Sequence, residues 1–491
     1  MIDHHHRQST LVGVSVVIFF TLFGQLSAQT EMTDLGRLGH AAFVTSTVTD
    51  YQCVSINPAN LGFAPSFDLY ALSTPVGVGI ERSAKAISIG MGQVGASIRS
   101  DAMTKPQVLD LILQRGSATA FTPEDQLRAA KEFADRGLRF IADVLIFGGS
   151  FQSRKKGGFA VTARERFNGS FLLNQGASEI IFQGRRAAYF DSSYTNWRGD
   201  TIGVARNPQL FSQLFNGTSL SLSWSREFSF SYGLPVMFGE GWRLCVGATG
   251  KFLQAFAYLD AHASNGEFFA RSALSPWFLI SYGKATTPSA KYGTTLIPIG
   301  DGYGADLGVT YKSKTLSVGV SVVDIGEMRY DGNVFAAGDT IVNGIGTTGF
   351  GNYNLFEQAP KLSGDGNYFV WSGLVETRVK LPTRMRLGAS YNITQRFSAG
   401  LDMTAPLADV GTNPRNLFMT AGVSFRPFAW LTIGTGVGSG DGMKIFIPGS
   451  ITLSLLGGYW ELGISTLDMS SLFTDRLPVL SAAVGVLRFR L

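Results

Sequence analysis

Ser219-Leu220-Ser221-Leu222-Ser223-Trp224-Ser225-Arg226-Glu227-Phe228-Ser229-Phe230-Ser231-Tyr232-Gly233 alternates two kinds of side chain. Successive side chains of a β-strand point to opposite faces. The even positions, Leu220 to Tyr232, make one face large and apolar. The odd positions, serines with Glu227 and Gly233, make the other small and polar. A strand of a transmembrane barrel needs this contrast, because one face meets lipid and the other a polar interior. Arg226 breaks the pattern on the apolar face. A lipid-facing Arg at the midplane costs roughly 2–4 kcal/mol. Either a bulge flips the register there, or that end of the strand projects beyond the membrane.

The alternation recurs. In 303–311, Tyr303, Ala305, Leu307, Val309 and Tyr311 alternate with Gly304, Asp306, Gly308 and Thr310. Runs of the same kind occupy 242–252, 315–322, 383–391 and 431–437. Each is near the 9–11 residues that a tilted strand needs to cross a bilayer. Several begin or end on an aromatic, as an interfacial girdle requires. A soluble β-sandwich or propeller fits the long strands and apolar outer faces poorly. The expected fold is therefore all-β, a transmembrane antiparallel β-barrel of about 14 strands, with 12–16 allowed.

Composition agrees. The chain has 491 residues, with 59 Gly, 37 Phe and only 16% charged side chains. Beyond the N-terminus no window offers about 20 consecutive apolar residues, which excludes helical spans. Residues 1–28 have the layout of a secretory signal: Arg7, an apolar Leu11–Leu22, then Ser27-Ala28 before a cut at Gln29. Gln29 stands where a lipoprotein needs Cys. Removing 1–28 deletes Asp3 and Arg7, one charge of each sign, so the net charge stays at +5. So diffuse a charge does not argue for nucleic acid; a basic lumen or a lipopolysaccharide contact is the milder reading. Cys53 and Cys245 are expected to be two free thiols.

The predicted organisation is a signal at 1–28, a plug or first-strand segment at 29–66, and a barrel over 67–491. A helical insert lies at about 104–146. Thr122-Pro123-Glu124-Asp125 has the composition of a helix start. Ala130, Phe133, Ala134, Leu138 and Ile141 follow at helical spacing. This charged helix is too short to span lipid and is expected at the periplasmic rim or inside the lumen as a plug. Long stretches near 168–215, 260–300 and 331–365 suit extracellular loops.

Chemistry is sparse. Only His40 and His262 remain after signal removal, and no zinc-protease, nucleophile-elbow, phosphate-loop or calcium-loop motif occurs. Gly344-Ile345-Gly346-Thr347-Thr348-Gly349 matches a dinucleotide fingerprint by letter but lacks a strand–helix context. No enzyme activity, cofactor or metal site is expected. Arg384 and Arg386 share the small face of their strand and are expected to face the lumen as basic residues.

Leu38-Gly39-His40-Ala41-Ala42-Phe43, followed by Ser55-Ile56-Asn57-Pro58-Ala59-Asn60-Leu61, resembles the N-terminal signature of long-chain fatty-acid transporter-like outer-membrane barrels. It is similar also to relatives in the Bacteroidota, including the secretion-associated PorV-like barrels. Residues 304–312, 316–326 and 381–391 resemble an uncharacterised Bacteroidota outer-membrane family. The resemblance implies an outer-membrane location and places Asn57, Pro58, Ala59 and Asn60 in an N-terminal plug. A tight turn starting the first strand is the other reading of that motif. Asn60 stands where those transporters usually have Gly, which bears on any shared plug motion. Two functions follow as expectations. One is passage of small, hydrophobic solutes. The other is a non-conducting barrel whose long loops dock secretion or surface-assembly proteins. Outer-membrane lipid is the expected surrounding.

Overall fold

The computed structural model describes residues 42–63, 87–112, 121–153, 156–353, 370–408, 410, 417–440, 443–474 and 479–491. The signal at 1–28 and the strand start near Phe67 lie outside them. Fourteen strands form the barrel: β1 Ile87–Ser100, β2 Arg136–Ser153, β3 Gly157–Leu173, β4 Ser219–Gly239, β5 Trp242–Ser264, β6 Gly300–Ser313, β7 Leu316–Tyr330, β8 Arg384–Asn392, β9 Phe397–Pro406, β10 Phe418–Phe428, β11 Leu431–Gly440, β12 Gly449–Leu455, β13 Trp460–Thr466 and β14 Val479–Arg490. Each pairs antiparallel with the next, and β14 pairs with β1 to close the sheet. Closure leaves no sheet edge.

The opening stretch behaves as its alternation demands. Phe228, Phe230 and Tyr232 stand exposed on the outer wall, whereas Glu227, Ser229 and Ser231 are buried inside. Val94, Phe147, Phe159, Leu307, Leu401, Val437, Ile464 and Val484 extend this apolar exterior around the circumference. Arg226 is met by the second remedy. The β4–β5 register does shift between Trp224 and Ser225, but the extra residue, Phe256, is on β5, and Arg226 keeps the face of Phe228. Strands β4 and β5 run 21 and 23 residues, about twice a membrane crossing, so Arg226 projects beyond it. There it is paired in register with Glu165 of β3, N···O 2.6 Å.

One end of the barrel has short turns, such as Glu240–Gly241 and Lys314–Thr315; the other carries the long connections. Short turns mark the periplasmic end of such barrels. Helix α1 (Lys105–Ile112), helix α2 (Pro123–Phe133) and helix α3 (Gln175–Gln183) all belong to the long-loop, extracellular end. Phe133 of α2 and Phe182 of α3 pack with Phe350 as a cap. The helical insert is thus shorter than 104–146 and is placed away from the periplasmic rim. Asp135 adopts φ 57° and its N–H bonds Leu173 O at 2.8 Å, which ends the helix and starts β2. Leu138 and Ile141 continue the helical spacing by coincidence. The loops also begin later than their composition indicates, because β3 and β5 extend above the membrane to Leu173 and Ser264.

Candidate functional site: a filled lumen

Residues 42–63 occupy the periplasmic half of the lumen, and nearly all are buried. Asn57 starts the short 3-10 turn Pro58–Gly62, its side-chain oxygen accepting from Ala59 N–H at 3.1 Å. Pro58 supplies a pre-set φ at the first position. Asn57 Nδ2 donates to Thr310 Oγ1 at 2.8 Å, and Thr310 Oγ1 donates to Asn60 Oδ1 at 2.8 Å. Asn60 Nδ2 reaches back to Val48 O at 2.7 Å. Asn57, Pro58, Ala59 and Asn60 therefore tie the segment to itself and to β6. Asn60 makes bonds that a glycine cannot.

The wall receives this segment on glycine. Gly158, Gly233, Gly247 and Gly308 lie side by side on β3 to β6, and Gly400, Gly422 and Gly436 do so on β9 to β11. Close approach explains them. A Cβ on Gly247 would come 2.3 Å from the Pro58 carbonyl carbon, and one on Gly148 would come 2.4 Å from the Tyr51 ring. Tyr51 accepts from Gln93 Nε2 at 2.6 Å. Among the described residues both cysteines are free and buried, Cys53 in the segment and Cys245 on β5 beside Ala59 and Phe63.

Carboxylates hold the segment's other parts. Asp402 of β9 accepts from the N–H groups of Val44 and Thr45 at 2.8 and 3.0 Å. Asp50 takes Arg488 of β14 at 2.5 Å, and Arg488 also reaches Glu461 at 2.9 Å. Ser55 donates to Glu227 Oε1 at 3.2 Å. Glu227 belongs to a layer of six ionic side chains across the middle of the barrel, five of them buried and Arg166 partly so. Arg166 pairs Glu227 at 2.9 Å, Lys251 pairs Asp306 at 2.8 Å and Asp324 at 2.5 Å, and Arg384 pairs Asp324 at 2.5 Å. Asp324 sits at φ 58° in a bulge of β7, where the β6–β7 register shifts between Val322 and Ile325. Above this layer Leu253, Ala255, Tyr258, Met328 and Tyr330 form a buried apolar cluster with Val334 and Leu381 under the extracellular loops.

Arg384 and Arg386 do face inward, but neither is bathed by water. Each is only 2% exposed. Arg384 neutralises Asp324, and Arg386 Nε lies 3.4 Å from Thr45 Oγ1. Their surroundings are a packed interior. Sequence reasoning gave no role to Glu227, Lys251, Asp306, Asp324 or Asp402. The available signal was a single charge set among Ser and Gly on a strand's small face. Among the described residues no group of three or more His, Cys, Asp or Glu is placed to hold a metal ion.

A closed barrel with an even strand number, an apolar exterior, a polar interior, and short turns opposite long loops is an outer-membrane β-barrel. Residues 80–442 match a family described as "Family of unknown function (DUF5723)". The chain belongs to the DUF5723 family. No curated protein matches this DUF5723 chain. Among solved structures it is similar to the Pseudomonas putida toluene transporter TodX, at 11% identity over 93% of this chain and 97% of that one, TM-score 0.38. A TodX deltaS2S3 mutant monoaromatic hydrocarbon channel gives 10% identity over 94% and 97%, TM-score 0.45. A Pseudomonas aeruginosa FadL homologue gives 10% identity over 94% and 98%, TM-score 0.38. These values assign the DUF5723 chain no substrate.

Proposed function

We propose that this DUF5723 protein passes small, hydrophobic solutes across the outer membrane, with residues 42–63 as a plug that moves. The observation that carries the reading is how the plug is held. It fills the lumen through side-chain and backbone hydrogen bonds and a smooth glycine seat, and it joins no strand of the barrel wall. Contacts of that kind can be exchanged without unpairing the barrel. The apolar surface around Tyr258, Met328 and Tyr330, above the ionic layer, suits an apolar solute better than a hydrated one. Uptake tests the reading. Cells lacking the protein should accumulate a radiolabelled fatty acid or monoaromatic hydrocarbon more slowly, and the restored gene should recover the rate. Equal uptake of every apolar probe by both strains sinks it.

A second reading takes the lumen as permanently closed and the loops as a docking platform for secretion or surface-assembly proteins. Its support is the aromatic surface at the extracellular end, where Trp197 is 87% and Tyr292 88% exposed. Cross-linking through p-benzoylphenylalanine at position 197 should then trap one protein at fixed stoichiometry. Scattered, substoichiometric products argue against it.

A further inference from the structure

The outer wall of β4 to β7 is indented. A groove of about 490 Å³ lies there, lined by Tyr232, Leu234, Ala248, Leu307, Val309 and Val320 among others. Its lining is apolar, and it opens on the lipid side, since Tyr232, Ala248, Leu307 and Val309 alternate with inward Ser231, Thr249, Gly308 and Thr310. Its floor is the strand backbone at Gly247 and Gly308. The Asn57–Pro58 turn presses the same two glycines from inside.

The level of the groove says what fills it. Val309 precedes Lys314, in the β6–β7 turn, by five residues, about 17 Å along the strand at 3.4 Å per residue. With a tilt of about 40° that is roughly 13 Å of depth. The polar headgroup region takes about 5–8 Å on each side of a bilayer, so the groove lies among acyl chains of the periplasmic leaflet. Its rim has the chemistry of a headgroup site. Trp242 and Tyr311 pack with ring centroids 5.9 Å apart, as interfacial aromatics do. Lys314 lies along the β4–β5 turn beside Gly241. The carbonyl of Lys156, in the β2–β3 turn, accepts from the groove's own Tyr232 OH at 2.7 Å. A second copy of this chain is a poor occupant: a two-fold contact sets the same patch against itself, and two concave faces leave a void.

We propose that this groove binds one phospholipid of the periplasmic leaflet, an acyl chain in the groove and the anionic phosphate at Lys314. The site does not depend on whether the lumen conducts. Native mass spectrometry of the full-length barrel in mild detergent, titrated with palmitoyl-oleoyl-phosphatidylglycerol, tests it. Ala248→Trp fills the groove; Ala421→Trp, on the exposed face of β10, is the matched control, and the heat-dependent gel shift verifies that both fold. The expected result is one lipid per barrel, about tenfold weaker in Ala248→Trp and unchanged in Ala421→Trp. Lys314→Gln should weaken phosphatidylglycerol several-fold and leave a neutral diacylglycerol unaffected. Lipid lost equally from both Trp variants, no fixed stoichiometry, oleate binding as tightly as the phospholipid, or a second barrel in place of lipid would overturn the proposal.

Discussion

Asp324 accepts from Lys251 and Arg384 and lies 3.4 Å from Arg166, so its loss leaves three cations, Arg166, Lys251 and Arg384, facing two carboxylates, Glu227 and Asp306. Removing one partner of a buried pair costs about 3–5 kcal/mol. Asn tolerates the left-handed backbone found here, so Asp324→Asn isolates the charge. It should lower the urea midpoint of the folded band by that order, whereas a change under about 1 kcal/mol would mean that water already screens the layer. Gly247→Val places a Cβ on the Pro58 carbonyl. It should displace the plug turn and make Cys53, sealed in the wild type, react with maleimide. Of these residues, Asn57 to Asn60 were legible because a cap, a proline and a turn are local. The partners of Glu227, Lys251 and Asp402 were not, since Ser55 lies 172 positions and Val44 358 positions from the carboxylates they meet.

Strand alternation was legible wherever an element faces lipid on one side and small residues on the other, and β4 to β8 show it. It fails above the membrane, where β2, β3 and β5 lose the lipid face and take loop-like composition. It fails too at 136–146, where one left-handed residue, Asp135, separates a helix from a strand. Helix α2 keeps the start its sequence predicts: Thr122 Oγ1 accepts from Asp125 N–H at 3.2 Å, and Asp125 accepts from Thr122 N–H at 2.9 Å. The Thr122 hydroxyl, which donates to Asp125 Oδ2 at 2.8 Å, and the Thr122 N–H together hold the Asp125 carboxyl below its ordinary range. Thr122→Ala should cost the cap about 1 kcal/mol. Amide exchange over 123–126 should quicken, with the barrel strands unaffected. Unchanged exchange there would mean that packing against α3 alone holds the helix.

At the level of the whole molecule, three layers stack along the barrel axis: residues 42–63 on their glycine seat, the ionic layer of Asp324 and Lys251, and the buried apolar cluster of Tyr258, Met328 and Tyr330. The outside is fixed by lipid. Phe230→Arg should destabilise the barrel by about 2–4 kcal/mol, and Tyr292→Arg in an exposed loop should not, when both are refolded into vesicles. The expected count of about 14 strands agrees with the closed barrel, although only six of the strands announce themselves as alternating runs. The filling of the lumen was not legible, because nothing in a strand's small face says whether water or another segment covers it. The central claim is that the plug must move for a solute to pass, and a staple between plug and wall tests it most directly. A Cβ on Gly62 lies 2.8 Å from Cys245 Cβ, against about 3.5–4.5 Å in a disulfide, so a shift of about 1 Å joins Gly62→Cys to Cys245. In a Cys53→Ser background, oxidation should stop uptake of the apolar probe and dithiothreitol should restore it. Uptake at the wild-type rate with the disulfide fully formed would contradict the account.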